Sequence, residues 1–127
     1  MPDIERIIAD HYRTTLAASV TVGTELPRDK SFPFVRVHRF GGGTDPRVPV
    51  THLDRALIQV DVWADTVSAA WALADQCRTE LDELPHQPAS GGVVTGVRTE
   101  EFRRVEDPSF TPAQPRYSVR ATVYAHP

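Results

Sequence analysis

Between Leu57 and Ala64 the chain alternates strictly, with Ile58, Val60 and Val62 on one side of an extended segment and Leu57, Gln59, Asp61 and Trp63 on the other. This pattern predicts a strand, begun at Leu53 or Arg55 and ended at Ala64, with one apolar face and one face carrying an amide, a carboxylate and an indole. Directly after it, Asp65-Thr66 supplies a helix cap. Val67, Ala70, Trp71, Ala74, Cys77, Leu81 and Leu84 then recur at three- and four-residue spacing as far as Pro85. A strand that runs straight into an amphipathic helix buries its apolar side most simply by packing that helix across it. Ala69, Ala70, Ala72 and Ala74 keep the helix thin enough to lie close, which places the strand centrally in a sheet.

The remaining segments follow the same logic. Ile4, Ile7, Ile8, Tyr12 and Leu16 mark a helix over residues 3–17, capped by Asp3 and with Glu5 in its first turn. Val20, Val22 and Thr24 read as a strand that ends at Leu26-Pro27, and Arg28-Asp29-Lys30 as a turn. Phe34 to Phe40 is a strand opened by Pro33, with Val35 and Val37 on one face and Phe34, Arg36, His38 and Phe40 on the other. Gly41 to Pro49, with three glycines and two prolines, reads as a long loop and hence as a candidate binding surface. Val93 to Arg104 and Tyr117 to Ala125 form two further strands, separated by a loop from Glu106 to Arg116 that holds Pro108, Pro112 and Pro115.

The order α-β-β-β-α-β-β predicts an α+β fold, an antiparallel or mixed β-sheet of four to five strands with two α-helices packed on one face. The opposite face carries Arg36, His38, Gln59, Asp61, Arg120 and Thr122, so it is either solvated or an interface.

A chain of 127 residues has room for one domain, spanning 1–127, which buries about two-thirds of its unfolded surface. Fourteen basic residues lie dispersed among 17 acidic ones, giving a net charge of −3 and no basic stripe for nucleic acid. Residues 1–64 balance eight of each sign, whereas residues 65–127 hold six basic against nine acidic, so the negative charge belongs to the second half. The single Cys77 excludes an internal disulfide and any cysteine-based structural zinc site. No apolar run approaches the ~20 residues of a membrane helix, and Met1-Pro2-Asp3-Ile4-Glu5 is an acidic start unlike a signal peptide. An intracellular setting without export or membrane insertion is the expectation.

Chemistry-bearing patterns are sparse. His11, His38, His52, His86 and His126 show no i,i+4 pair and no HExxH, so no metal or cofactor is expected. His38 and Asp61 on neighbouring strands, with Ser118 or Ser68, allow a hydrolytic triad to be sketched, but no GxSxG elbow accompanies them. A polar sheet face with cross-strand ion pairs is the simpler reading. Cys77 falls on the apolar helix stripe and reads as core. Gly41-Gly42-Gly43 has neither phosphate-loop spacing nor a helix after it.

The succession Leu26-Pro27, Phe32-Pro33-Phe34-Val35-Arg36-Val37, Gly41-Gly42-Gly43, and Ile58 to Ala64 followed by the alanine-rich helix resembles the tail terminator proteins of long-tailed bacteriophages. The Pro-rich segment after Asp107 and the Tyr117-led strand continue the likeness over nearly the whole chain. The resemblance implies a structural assembly protein, without catalytic residues, that caps the completed tail tube as a homohexameric ring. It implies as partners further copies of this chain, the tail-tube protein and a head-completion or connector protein, with DNA passing transiently through a lumen. It also implies a virion location at the head-proximal end of the tail, reached from the host cytoplasm. Acidic residues facing that lumen would let DNA slide, since a basic wall holds phosphates. Interaction residues are expected in two segments: Arg39, Asp45 and Arg47 around the glycine loop, and Phe110 and Arg116 around the proline loop. Phe110 is either a docking anchor or folded back over the core edge. Two other readings stay open: a neck or head-completion subunit of the same assembly, and a small ferredoxin-like enzyme or ligand-binding module with a pocket between the second helix and the sheet.

Overall fold

The computed structural model describes residues 3–25, 32–44, 53–86, 92–107 and 114–126. In chain order its elements are helix α1 (Ile4–Thr15), strands β1 (Thr21–Gly23), β2 (Phe34–Thr44) and β3 (Asp54–Trp63), helix α2 (Val67–Glu83), a 3-10 turn (Leu84–His86), and strands β4 (Val93–Asp107) and β5 (Gln114–His126). The strands form one sheet in the order β1-β2-β3-β5-β4, which puts the alternating strand β3 at its centre. Only β1–β2 is parallel and the other pairs are antiparallel, so the fold is α+β with a mixed sheet.

Both helices cover one face. Asp3 accepts from the Arg6 amide to cap α1, and Thr66 accepts from the Ala69 amide to cap α2. Ile4, Ile7, Ile8 and Tyr12 of α1, with Leu73, Ala74, Cys77 and Leu81 of α2, bury against Val35, Val37, Ile58, Val60, Val62, Val119 and Val123. The buried Tyr12 hydroxyl donates to the Cys77 carbonyl at 2.9 Å, and His11 Nε2 lies 2.9 Å from Glu80 Oε2. These two contacts tie the helices to each other.

Three boundaries differ from the sequence reading. The glycines are strand rather than loop: β2 continues through Gly41, Gly42 and Gly43, paired with Leu57, Ala56 and Arg55, after a bulge between Arg39 and Gly41. Gly42 has φ 103°, and a Cβ there would collide with the Arg55 carbonyl oxygen, so the missing side chain lets two backbones approach. The segment from residue 45 to 50 lies outside the described residues. β4 and β5 also extend toward each other, pairing Glu106 with Pro115 and Asp107 with Gln114, which turns both ends of the expected proline loop into ladder. Finally, the buried stripe of α2 runs through Ala70, Leu73, Ala74, Cys77 and Leu81, while Val67 and Trp71 are exposed. Trp71 lies at the margin of the layer, edge-on to Phe102 with ring centres 6.5 Å apart.

Gly42→Ala is therefore expected to cost about 1–3 kcal/mol, from the unfavourable φ and the backbone collision. Gly41→Ala, which meets only the movable Leu57 side chain at 3.3 Å, should cost distinctly less. Urea midpoints of the two variants check this; equal midpoints would contradict the packing described for Gly42.

Candidate interaction surface

The side chains that β2, β3, β5 and β4 turn away from the helices form ranks across the sheet. The pairings Phe34–Trp63–Arg116–Val105, Arg36–Asp61–Ser118–Arg103 and His38–Gln59–Arg120–Glu101 follow from the registers. Asp61 is fully buried at the centre. Its Oδ2 accepts from Arg36 Nη2 at 2.6 Å, and its Oδ1 accepts from Gln59 Nε2 at 2.9 Å and lies 3.4 Å from Arg116 Nη2. Gln59 Oε1 in turn accepts from Arg120 Nε at 3.2 Å. The two guanidiniums lie over the Trp63 ring, at 5.6 Å for Arg36 and 5.5 Å for Arg116, and Phe34 packs on the same ring. Three strands are thus joined by one carboxylate and one indole.

This register corrects the sketched triad. Arg36, not His38, stands opposite Asp61, and His38 stands opposite Gln59. Both Asp61 oxygens are engaged by Arg36, Arg116 and Gln59, so the carboxylate orients cations rather than a histidine. Ser118 is directly opposite Asp61, whereas Ser68 belongs to α2 on the other side of the sheet. Among the described residues no group of three or more His, Cys, Asp or Glu is arranged to hold a metal ion, and no helix is long and apolar enough to cross a membrane.

The expected interaction residues separate. Arg39 points to the helix side: its Nη1 and Nη2 donate to Asp54 at 2.6 and 2.8 Å, its Nε to the Gly41 carbonyl, and its amide to Glu5 Oε1 at 2.7 Å. The hydrogen bonds to Asp54 raise the Arg39 pKa above its usual value. Arg116 lies on the opposite face, beside Asp61 and Trp63. The fold thus does not bring these two arginines together, and each braces a strand pair from within. Asp45, Arg47 and Phe110 lie outside the described residues.

Two exposed aromatic groups occupy positions that periodicity assigns to element faces and so carry no signal of exposure in the sequence. Phe40, 46% exposed at the bulge of β2, lies under the Arg120 guanidinium at 5.1 Å, and Trp71 is 50% exposed on α2. Charge is also divided by layer more than by chain half. On the outer sheet face Arg36, Arg55, Arg98, Arg103, Arg116 and Arg120 stand against Asp61, Glu100 and Glu101. The two helical segments carry Asp3, Glu5 and Asp10, then Asp65, Asp75, Glu80, Asp82 and Glu83, against only Arg6, Arg13 and Arg78. Among described side chains, the helix layer is acidic and the sheet face basic.

Cys77 is buried, and burial pushes its thiol up to about 12. It should resist a thiol-specific reagent at pH 8 in the folded protein and react only on unfolding. Rapid labelling under native conditions would contradict the burial. Because the native thiol keeps its proton where the unfolded chain releases it, its contribution to stability is full below about pH 8.5 and falls as pH rises toward 12.

This arrangement is a two-sided scaffold, braced on one face by Asp61 and on the other by Asp54. Residues 1–105 match the family described as phage tail termination protein. The chain belongs to that family of structural phage tail proteins, which is not an enzyme family. Its fold is shared by a chain from a structure titled the virion of a native gene transfer agent particle, with a TM-score of 0.74 and 14% identity over 98% of this chain and 95% of that one. No curated protein sequence matches the chain. The protein's role is accordingly structural, in a phage tail.

Proposed function

We propose that this chain acts as one domain that ends tail-tube growth by closing a homohexameric ring on the finished tube and offering its far side to the head-completion or connector protein. The observation that carries the reading is membership of the tail termination family over residues 1–105. The two-sided scaffold is consistent with it, since a cyclic ring is built from two different patches on each subunit. DNA passes through the lumen, and Asp45, Arg47 and Phe110 are assigned to contacts with neighbouring proteins above and below. The protein therefore belongs at the head-proximal end of the tail.

Purified protein added to polymerising tail-tube protein should halt elongation and appear as a six-fold ring at one end of each tube in electron micrographs. Pull-downs should capture the tube protein as well as the head-side connector. Capture of the connector alone, with tube growth unaffected, would move the protein to the neck.

A further inference from the structure

We propose that neighbouring copies of this chain join face to back, the basic outer sheet face of one against the acidic helix layer of the next. The inference rests on the ring reading above and names the surfaces that build it. Three features of the molecule carry it. The faces differ in sign: among described side chains Arg36, Arg55, Arg98, Arg103, Arg116 and Arg120 stand on the sheet face against Asp61, Glu100 and Glu101, so that face carries an excess of basic groups. Opposite it, α2 ends in Asp82 and Glu83 with no basic residue in its last turn, an arrangement that the helix dipole disfavours and a cationic neighbour would offset. Among the described residues each face also exposes a large aromatic side chain, Phe40 on the sheet and Trp71 on the helix layer. Aromatic groups of this kind commonly anchor interfaces.

The two faces lie on opposite sides of the subunit, so the contact is heterologous and propagates in one direction until rotation closes it. Complementary charge selects this pairing, because sheet-to-sheet and helix-to-helix contacts set like charges together. With both faces covered by neighbours, the sheet edges and loops remain for the lumen and the ring's two ends. Arginines drawn into subunit contacts are also kept away from the DNA path, where they would hold phosphates.

A charge-exchange experiment tests the arrangement. Arg98 and Arg103 are 77% and 57% exposed, so Arg98→Glu with Arg103→Glu reverses the sheet face without touching the buried network. Asp82→Lys with Glu83→Lys reverses the end of α2, where cations suit the helix terminus. Circular dichroism checks that both variants fold. Each variant alone should lose ring formation, with association weakened about 100-fold or more. An equimolar mixture should regain rings of alternating subunits, because each reversed face then meets its complement. Rings formed by either variant alone, or a mixture that fails to assemble, would overturn the face assignment while leaving the ring itself standing. Loss of DNA retention without loss of rings would overturn it in favour of a nucleic-acid role for the sheet face. Wild-type protein that forms no ring, alone or on tails, would instead defeat the proposed function, and this inference with it.

Discussion

Replacing Asp61 by alanine should destabilise the protein by about 3–5 kcal/mol, because two guanidiniums and an amide lose their shared acceptor at a fully buried position. Arg36 and Arg116 both lose the carboxylate that they share beside the Trp63 ring. Domains are commonly stable by only about 5–15 kcal/mol, so the loss is a large fraction of the total. For a chain of this size it corresponds to a fall in Tm of roughly 10–20 °C. Asp61→Asn keeps the volume and one acceptor and should fall between wild type and alanine. Thermal unfolding of the three proteins measures the series. A Tm within about 3 °C of wild type for Asp61→Ala would show that the carboxylate does not hold the sheet face together.

Asp54→Ala is expected to cost about 2–4 kcal/mol, slightly less because Asp54 holds one guanidinium where Asp61 holds two and an amide. Two short charge-assisted hydrogen bonds disappear, and the guanidinium, whose pKa the pair raises, stays charged with only the Gly41 carbonyl to bond. The effect should reach the helix layer, since the Arg39 amide donates to Glu5 of α1. Asp54 and Asp61 lie on one strand but on opposite faces, separated by about 23 Å of extended chain. Their costs should therefore add to within about 0.5 kcal/mol in the double variant. Urea titration of the two single variants and the double variant would contradict the account if the second substitution were free once the first had been made.

The elements that carry a full period were legible from residues alone. Ile58, Val60 and Val62 fixed the inner face of β3, and the Tyr117-to-Ala125 alternation placed β5 correctly without saying that it inserts between β3 and β4. That insertion is a long-range choice, which local pattern does not encode. Glycine and proline misled at both loops for a common reason: they mark permissive or donor-poor backbone, and a ladder can use both. Gly42 permits close approach to β3, and Pro115 sits near the opening end of β5.

The polar face was foreseen as a set of residues, yet its internal pairing required register. One step along β2 decides whether Arg36 or His38 meets Asp61, and with it whether the site reads as a brace or as a triad. Arg39, an expected interaction residue of the glycine segment, stands in step with Val35 and Val37 along β2. That alternation puts it on the helix side, where it pairs with Asp54. Trp71 shows the converse, a residue in step with the apolar stripe that the packing of α2 leaves exposed.

Tail length in particles assembled without this protein tests the central claim most directly. If the chain terminates the tube, deleting its gene should yield overlong, heterogeneous tails with no heads joined to them, and supplying the protein should restore one length and head attachment. Tails of normal, uniform length in its absence would contradict the account.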